Sequence, residues 1–276
     1  MKLSLSVRIA ESPRRKDRAE LPIETLAPLA RAAGFAGLSM RASAVSVSST
    51  PKRTHQVRSV LDTNGLVASM VMGNVALAAN TPDAPDCLQN IEPHLDLAEA
   101  LGSRLVRVMM HSDAEIPHAQ RAADTAAERG VTLAHQTHWG TLCETVDDSL
   151  ALVESVGRTN FGITYEPANL LACGSAYGAD AIARLAPHLV NVYFQNVRLD
   201  PYGALIFKSR HQGSVSLDYV ALDDPRGIDP RPIIAALKAV GYDGWFSVHQ
   251  PLRTGQSVPE AIEEAARTFM PLVASE

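Results

Sequence analysis

The stretch Phe161-Gly-Ile-Thr-Tyr-Glu-Pro-Ala-Asn169 decides how this chain is read. Phe161–Tyr165 is a short β-rich run, and it ends in a carboxylate, Glu166. Pro167 follows at once and stops the strand, because proline has no N–H to give to a ladder. A carboxylate at the carboxyl end of an apolar strand, just before a loop, is where parallel α/β proteins keep their chemistry. Other strands end in the same way: Gln136 with His138, Gln195 with Asn196, and His249 with Gln250.

Working outward, short apolar runs alternate with helical periodicity. Strands are expected at Leu3–Ile9, Ala36–Met40, Leu66–Met72, Leu105–Met110, Val131–Gln136, Phe161–Tyr165, Leu189–Gln195 and Trp245–His249. Helices are expected at Ile23–Ala33, Pro51–Asn64, Asp86–Leu101, Ala114–Arg129, Thr145–Val156, Ala179–Ala186, Pro230–Val240 and Pro259–Val273. Glycines such as Gly34, Gly102, Gly130 and Gly241 stand where helices stop. The stretches Glu11–Glu20, Asn74–Pro85 and Leu199–Gly227 read as loops. Eight β-then-α units without a composition break predict a single α/β domain over residues 1–276, closed into a (β/α)8 TIM barrel. An open doubly wound sheet is the alternative. It wants a Gly-rich phosphate turn after the first strand, and Arg8-Ile-Ala-Glu-Ser-Pro13 is not one.

Composition excludes several classes of protein. With 46% apolar residues among 276, the chain can bury a sizeable core. Net charge is −5 and the arginines are scattered, which speaks against a nucleic-acid face. Cys87, Cys143 and Cys173 show no CxxC spacing, so reduced thiols are expected, with Cys173 a buried structural thiol. No signal-peptide h-region and no apolar run near the ~20 residues of a membrane span is present. A cytoplasmic protein with no nucleic-acid or membrane partner is expected, and a homo-oligomer is compatible with the fold.

Alternate residues of a barrel strand face inward. One parity therefore sends Gln136, Glu166, Gln195 and His249 from successive strands toward the axis, with Ala134, Thr164, Tyr193 and Ser247 below them. An unpaired buried polar group costs about 1–3 kcal/mol, so such a layer is either self-satisfied or a metal or substrate site. Arg107 shares the parity of His111 and is a candidate counter-charge for Glu166. His111 is either a mouth residue or a satisfied core histidine, and His135, of opposite parity to Gln136, packs outward. Arg210 and His211 lie in the long loop after the seventh strand, where a lid belongs, although simple surface polarity accounts for them equally well.

These residues make the chain resemble the xylose isomerase-like TIM barrels of the sugar phosphate isomerase/epimerase superfamily. The likeness covers nearly the whole chain. It is carried by Leu133-Ala-His-Gln-Thr-His138, Tyr165-Glu-Pro-Ala-Asn-Leu170, Asn191-Val-Tyr-Phe-Gln-Asn196 and Gly241-Tyr-Asp-Gly-Trp-Phe-Ser-Val-His249. The resemblance implies a divalent metal held by Glu, Asp, His and Glu at the ends of strands five to eight, with the glutamates moving a proton between sugar carbons. This sequence departs from that pattern. Gln136 stands at the first Glu position, Glu166 at the Asp position, Tyr193 at the His position with Gln195 two further along, and His249 at the final Glu position. His138 matches a family histidine that touches substrate, and Arg41 ends the second strand near a usual substrate contact.

The expectations that follow are specific. Glu166, His249 and His138 are the catalytic candidates, with an imidazole as general base. Arg41, His111, Gln136, Asn196, Trp139 and His211 are candidates for substrate binding, with Trp139 or Trp245 stacking on a sugar face. Gln136, Glu166, Gln195 and His249 are candidate ligands for Mn, Zn, Mg or Co. The expected activity is isomerisation or epimerisation of a sugar or keto-sugar by proton abstraction next to a carbonyl. The alternatives are a lyase or dehydratase on a keto-sugar, keto-glycoside or inosose, and a sugar-binding protein without catalysis. An endonuclease fits poorly, because the extra His and Glu ligands and a basic groove are missing.

Overall fold

The structure, a computed structural model, describes residues 1–12, 15–73 and 88–274. The expected loop at 74–85 and Cys87 lie outside the described residues. Eight parallel strands close into a barrel. They are β1 (Lys2–Ser6), β2 (Gly37–Arg41), β3 (Val67–Met72), β4 (Leu105–Val108), β5 (Thr132–Gln136), β6 (Phe161–Tyr165), β7 (Leu189–Phe194) and, last in the chain, β11 (Trp245–Val248). The β1–β11 pairing, with Ser4 beside Ser247, closes the ring.

Helices cover the outside: α1 (Ile23–Ala32), α2 (Pro51–Thr63), α3 (Glu92–Leu101), α4 (Ile116–Glu128), α5 (Val146–Val156), α6 (Pro167–Ala172), α7 (Ala179–Leu185), α8 (Pro230–Ala239) and α9 (Val258–Ala274). The α5 start is a capping box, with Thr145 and Asp148 each accepting the other's backbone N–H. Gly102 ends α3 at φ 71°, a left-handed cap that a side chain would strain. None of the described helices is long and apolar enough to cross a membrane.

The core has two parts. The larger lies between strands and helices, where Phe269 of α9 packs against Phe194 and Phe246 at ring-centroid distances of 5.2 and 5.1 Å. The smaller lies inside the barrel and joins Met70, Leu105, Ala134 and Tyr193. Hydroxyls pair across that interior: Ser4 with Ser69 at 2.6 Å and Ser39 with Tyr193 at 2.7 Å. These four hydroxyls thus satisfy one another in pairs, whereas the Ser247 hydroxyl and the Asn191 amide are buried without a hydrogen-bond partner among the described residues.

Two loops of the sequence reading are corrected. Residues 199–227 are not a plain loop. They carry β9 (Leu205–Ser209) and β10 (Gly213–Tyr219), which with β8 (Val197–Leu199) form an antiparallel sheet in the order β8-β10-β9. The alternation Ser214-Val-Ser-Leu-Asp-Tyr219 is the period-two signal of that sheet. The short connection after β6 is the helix α6, which Pro167 starts with its preset φ. Trp245 lies at the amino end of β11, opposite the carboxyl ends of the strands, with the Lys2 ammonium 5.8 Å from its ring centre.

Candidate active site at the barrel mouth

A cavity of about 360 Å³ opens at the carboxyl ends of the strands. Gln136, Gln195 and His249 line it from the ends of β5, β7 and β11. Arg8, Arg41 and Arg107 line it from the turn after β1, the end of β2 and β4. Its walls are Trp139, which stacks on Phe207 of β9 at 4.8 Å, and Tyr219 of β10. The added antiparallel sheet therefore builds one side of the site.

Glu166 is fully buried and sits behind two residues that line the cavity. The Gln136 side-chain amide donates to Glu166 Oε2, and Asn169 Nδ2 donates to the same oxygen at 2.8 Å. The Glu166 N–H donates to Thr137 Oγ1 at 2.8 Å, which ties the end of β6 to β5. Glu166 Oε1 and Gln136 Oε1 are buried without a hydrogen-bond partner among the described residues. Burial pushes the Glu166 carboxyl up to about 7, against the opposing pull of Arg8, Arg107 and Arg41.

Both candidate imidazoles line the cavity. Burial, then the charges of Arg8, Arg41 and Arg107, hold His249 well below its ordinary pKa. Its ring lies parallel to Tyr193, and its Nδ1 meets Ser6 Oγ at 2.9 Å. Burial, then Arg107, also hold His138 well below its ordinary pKa. His138 Nδ1 is 2.8 Å from the Trp139 carbonyl oxygen. A carbonyl only accepts, so Nδ1 carries the proton and Nε2 carries the lone pair. His135 is fixed likewise, with Nδ1 on the Gln136 carbonyl and Nε2 accepting the Met110 N–H at 2.8 Å. It faces away from the cavity, as its parity predicts.

The three guanidiniums are held differently. Arg41 pairs with Glu11 at 2.5 Å. Arg8 donates to Gln195 Oε1 and to the Tyr219 hydroxyl, each at 2.7 Å. Among the described residues, the buried Arg107 donates only to the thioether sulfurs of Met72 and Met109, at 3.0 and 3.1 Å.

A divalent cation needs anionic and neutral oxygen or nitrogen donors. Here the expected ligands Gln136, Glu166, Gln195 and His249 offer one carboxylate, and it already accepts two amides. Gln195 Oε1 is taken by Arg8. Three guanidiniums line the same cavity and would repel a dication. Among the described residues no three His, Cys, Asp or Glu side chains come together in a way that could hold an ion. This donor set does not fit Mn, Zn, Mg or Co.

Of the residues expected from sequence, the structure brings Arg41, Gln136, His138, Trp139, Gln195 and His249 to the cavity, with Glu166 directly behind. His111, Asn196 and His211 stand away from it. His111 Nδ1 bonds the Gly140 carbonyl at 2.8 Å. β4 ends at Val108, so the inward parity expected for His111 lapses before reaching it. Asn196 donates to the Ala221 carbonyl and accepts the Ile228 N–H, bracing the return of the long segment. His211 is on the surface, 2.8 Å from Asp148. Sequence reasoning missed Arg8, Glu11, Asn169 and Tyr219, none of which ends an expected strand. Cys173 is a buried thiol pushed up to about 12 by burial, in line with a structural role.

Comparison with known proteins places this geometry. The profile of the xylose isomerase-like TIM barrel family matches residues 27–272. The chain is 26% identical over 272 residues to the rhizopine catabolism protein MocC of Rhizobium meliloti, covering 87% of this chain and 78% of that one. It is 25% identical over 137 residues to the inosose dehydratase of Geobacillus thermodenitrificans, covering 49% of this chain and 46% of that one. Among solved structures, the probable 3-DHS dehydratase AsbF of Bacillus anthracis superposes with a TM-score of 0.72 at 16% identity, covering 98% of this chain and 99% of that chain. Barrels with a TM-score of 0.68 and 14–17% identity include a D-psicose 3-epimerase, a Mycobacterium smegmatis protein in complex with magnesium and the IOLI protein with a zinc atom, with at least 97% of both chains covered in each case. The fold and the match over nearly the whole chain agree: this chain belongs to the xylose isomerase-like TIM barrel family.

Proposed function

We propose that the barrel mouth abstracts a proton from the carbon next to a carbonyl of a small polyhydroxylated substrate, as a sugar or keto-sugar isomerase or epimerase. The observation that carries this reading is His138, a neutral imidazole whose bonded Nδ1 leaves the lone pair on Nε2 in a cavity lined by guanidiniums. Nε2 takes the proton, the C–H electron pair becomes the C=C bond of an enediolate, and the carbonyl oxygen takes the negative charge. Arg41, Arg8 or Arg107 stabilises that oxygen electrostatically. The field that makes a poor base of the imidazole also lowers the energy of the enolate, so the two effects offset. Return of the proton from the imidazolium to the former carbonyl carbon, with the hydroxyl proton of the first carbon passing to the oxyanion, gives an isomer. Delivery of the N–H proton of His249 to the opposite face of the original carbon gives an epimer, and the proton given up by the His138 imidazolium replaces it. The amides of Gln136 and Asn169 suit hydroxyls, and the paired rings of Trp139 and Phe207 suit a sugar face.

A second reading keeps the first step and ends in loss of water. Its support is the 25% identity, over half the chain, with a protein named inosose dehydratase. Incubation with keto-sugars and inososes in D2O separates the two: deuterium in a recovered isomer supports the first, and a dehydrated product supports the second. No exchange and no product across the panel removes both.

A further inference from the structure

The proposed activity calls for one guanidinium at the developing oxyanion, and the cavity holds more positive charge than that. Arg8, Lys16, Arg41 and Arg107 line it, and among the described residues Glu11 is the one carboxylate in the lining. Counting Glu166 behind the floor still leaves an excess of two positive charges. Arg41 spends its charge on Glu11 at 2.5 Å. Arg107 is different. It is 3% exposed, it has no carboxylate within ion-pair distance among the described residues, and its Nε has no hydrogen-bond partner there. Its terminal nitrogens touch only the sulfurs of Met72 and Met109, which are weak acceptors. A buried charge without a partner is strongly unfavourable, so a guanidinium kept in this state on a barrel strand is waiting for an anion.

We infer that the substrate carries an anionic group, a carboxylate or a phosphate, and that Arg107, with Arg8 beside it, is the receptor for that group. This deepens the proposed function, since the anion would share the mouth with the reacting carbonyl. Where metal-holding barrels of the same fold bind a cation, this chain answers with guanidiniums and binds the substrate's own negative charge. The hydroxyl of Tyr219 and the amide of Gln195 hold the Arg8 fork in place, so the receptor is preorganised. Such a fork suits the two oxygens of a carboxylate or phosphate better than it suits a neutral hydroxyl.

The test is binding, independent of turnover. Calorimetric titration of the full chain with D-gluconate, glucose 6-phosphate, inorganic phosphate and, as the neutral control, D-glucose reads the preference. Expected is at least tenfold tighter binding of gluconate or glucose 6-phosphate than of glucose, weakening with added salt and unaffected by added magnesium. Gluconate ahead of glucose 6-phosphate assigns the carboxylate, and the reverse order assigns the phosphate. Arg107→Gln should bring the preferred anion to within about threefold of glucose. Should that variant not fold, the salt dependence of the wild type and Arg8→Gln carry the same test. Equal affinity for charged and neutral sugars, or no saturation by either anion, overturns the inference. Anion preference without proton exchange into any substrate would instead sink the proposed activity and leave the anion receptor standing.

Discussion

The imidazole of His249 lies flat against the ring of Tyr193, with centroids 4.0 Å apart and planes 5° from parallel. Tyr193 is itself held by Ser39 across the barrel at 2.7 Å. The phenol ring is thus a rest that fixes how the imidazole faces the cavity. Tyr193→Phe keeps the rest and loses one buried hydrogen bond, a cost of about 1 kcal/mol. It should retain kcat within about threefold. Tyr193→Leu removes the rest and should lower kcat at least tenfold while KM moves little. Equal kcat in both variants would deny Tyr193 this positioning role.

His138 makes a sharper prediction. His138→Gln removes the basic nitrogen and keeps a polar group of similar reach, so proton exchange should fall by the 10²–10⁴-fold typical of a lost general base. The pH dependence carries a sign. The base works unprotonated, and its pKa lies well below the ordinary 6.5 because of burial and then Arg107. Exchange should therefore stay level as pH falls through about 6.5 and drop only further down. Glu166→Gln is the proper background for that profile, since it removes the group that titrates at about 7. A limb centred near pH 6.5 in that background would show an ordinary imidazole and remove His138 from the role.

How much of this was legible in the sequence depends on where each residue lies along its strand. Inside a strand, alternation is strict, and the inward placement of Gln136, Ala134, Thr164 and Tyr193 followed from it. The same rule separates neighbours: Gln195 faces the cavity, so Asn196 faces the loop behind it. One residue past a strand's end the rule lapses, as His111 shows. Arg8 was hidden for a related reason. It lies in the single 3-10 turn Val7–Ala10 after β1, where no periodicity announces which way a side chain points. The β8–β10 sheet was hidden by its short strands and by the Pro, Gly and His residues around them, which imitate a loop. The cationic character of the mouth was illegible because the net charge of the chain is negative and its arginines come from three distant segments.

Glu166 offers a test through stability. Its folded pKa of about 7 lies above the ordinary 4.5, so the folded chain holds that proton more tightly than the unfolded one. The folded state is favoured by this group below about pH 4.5, and the advantage is lost as pH rises through about 7. The penalty above that pH is on the order of 3 kcal/mol. Glu166→Gln removes the titration. The difference in Tm between variant and wild type should therefore shift in the variant's favour by several degrees from about pH 5 to about pH 8. A difference constant across that range would mean that Glu166 titrates normally. Turnover should fall at least 100-fold in the same variant, because the buried carboxylate that accepts the Gln136 and Asn169 amides is gone. Unchanged turnover would limit Glu166 to a structural part.

The last prediction concerns how the β9–β10 hairpin is fastened over the mouth. Glu144 is fully buried in the loop before α5. Its carboxylate accepts the Ser209 hydroxyl at 2.7 Å, the Arg210 N–H at 2.8 Å, the His211 N–H at 3.3 Å and the Gly140 N–H at 2.6 Å. One side chain thus ties the hairpin tip to the loop that carries His138 and Trp139. Glu144→Ala strands several donors, each at a cost of about 1–3 kcal/mol where it stays buried, and the hairpin can regain them only by lifting into water. The barrel core does not depend on this contact, so far-UV circular dichroism should keep its native form. Trypsin should cut after Lys208 or Arg210 at least tenfold faster than in the wild type, and KM should rise severalfold because Phe207 and Tyr219, two walls of the cavity, ride on the same sheet. Cleavage at the wild-type rate together with an unchanged KM would mean that the hairpin is held by its own pairing and that Glu144 does not fasten it.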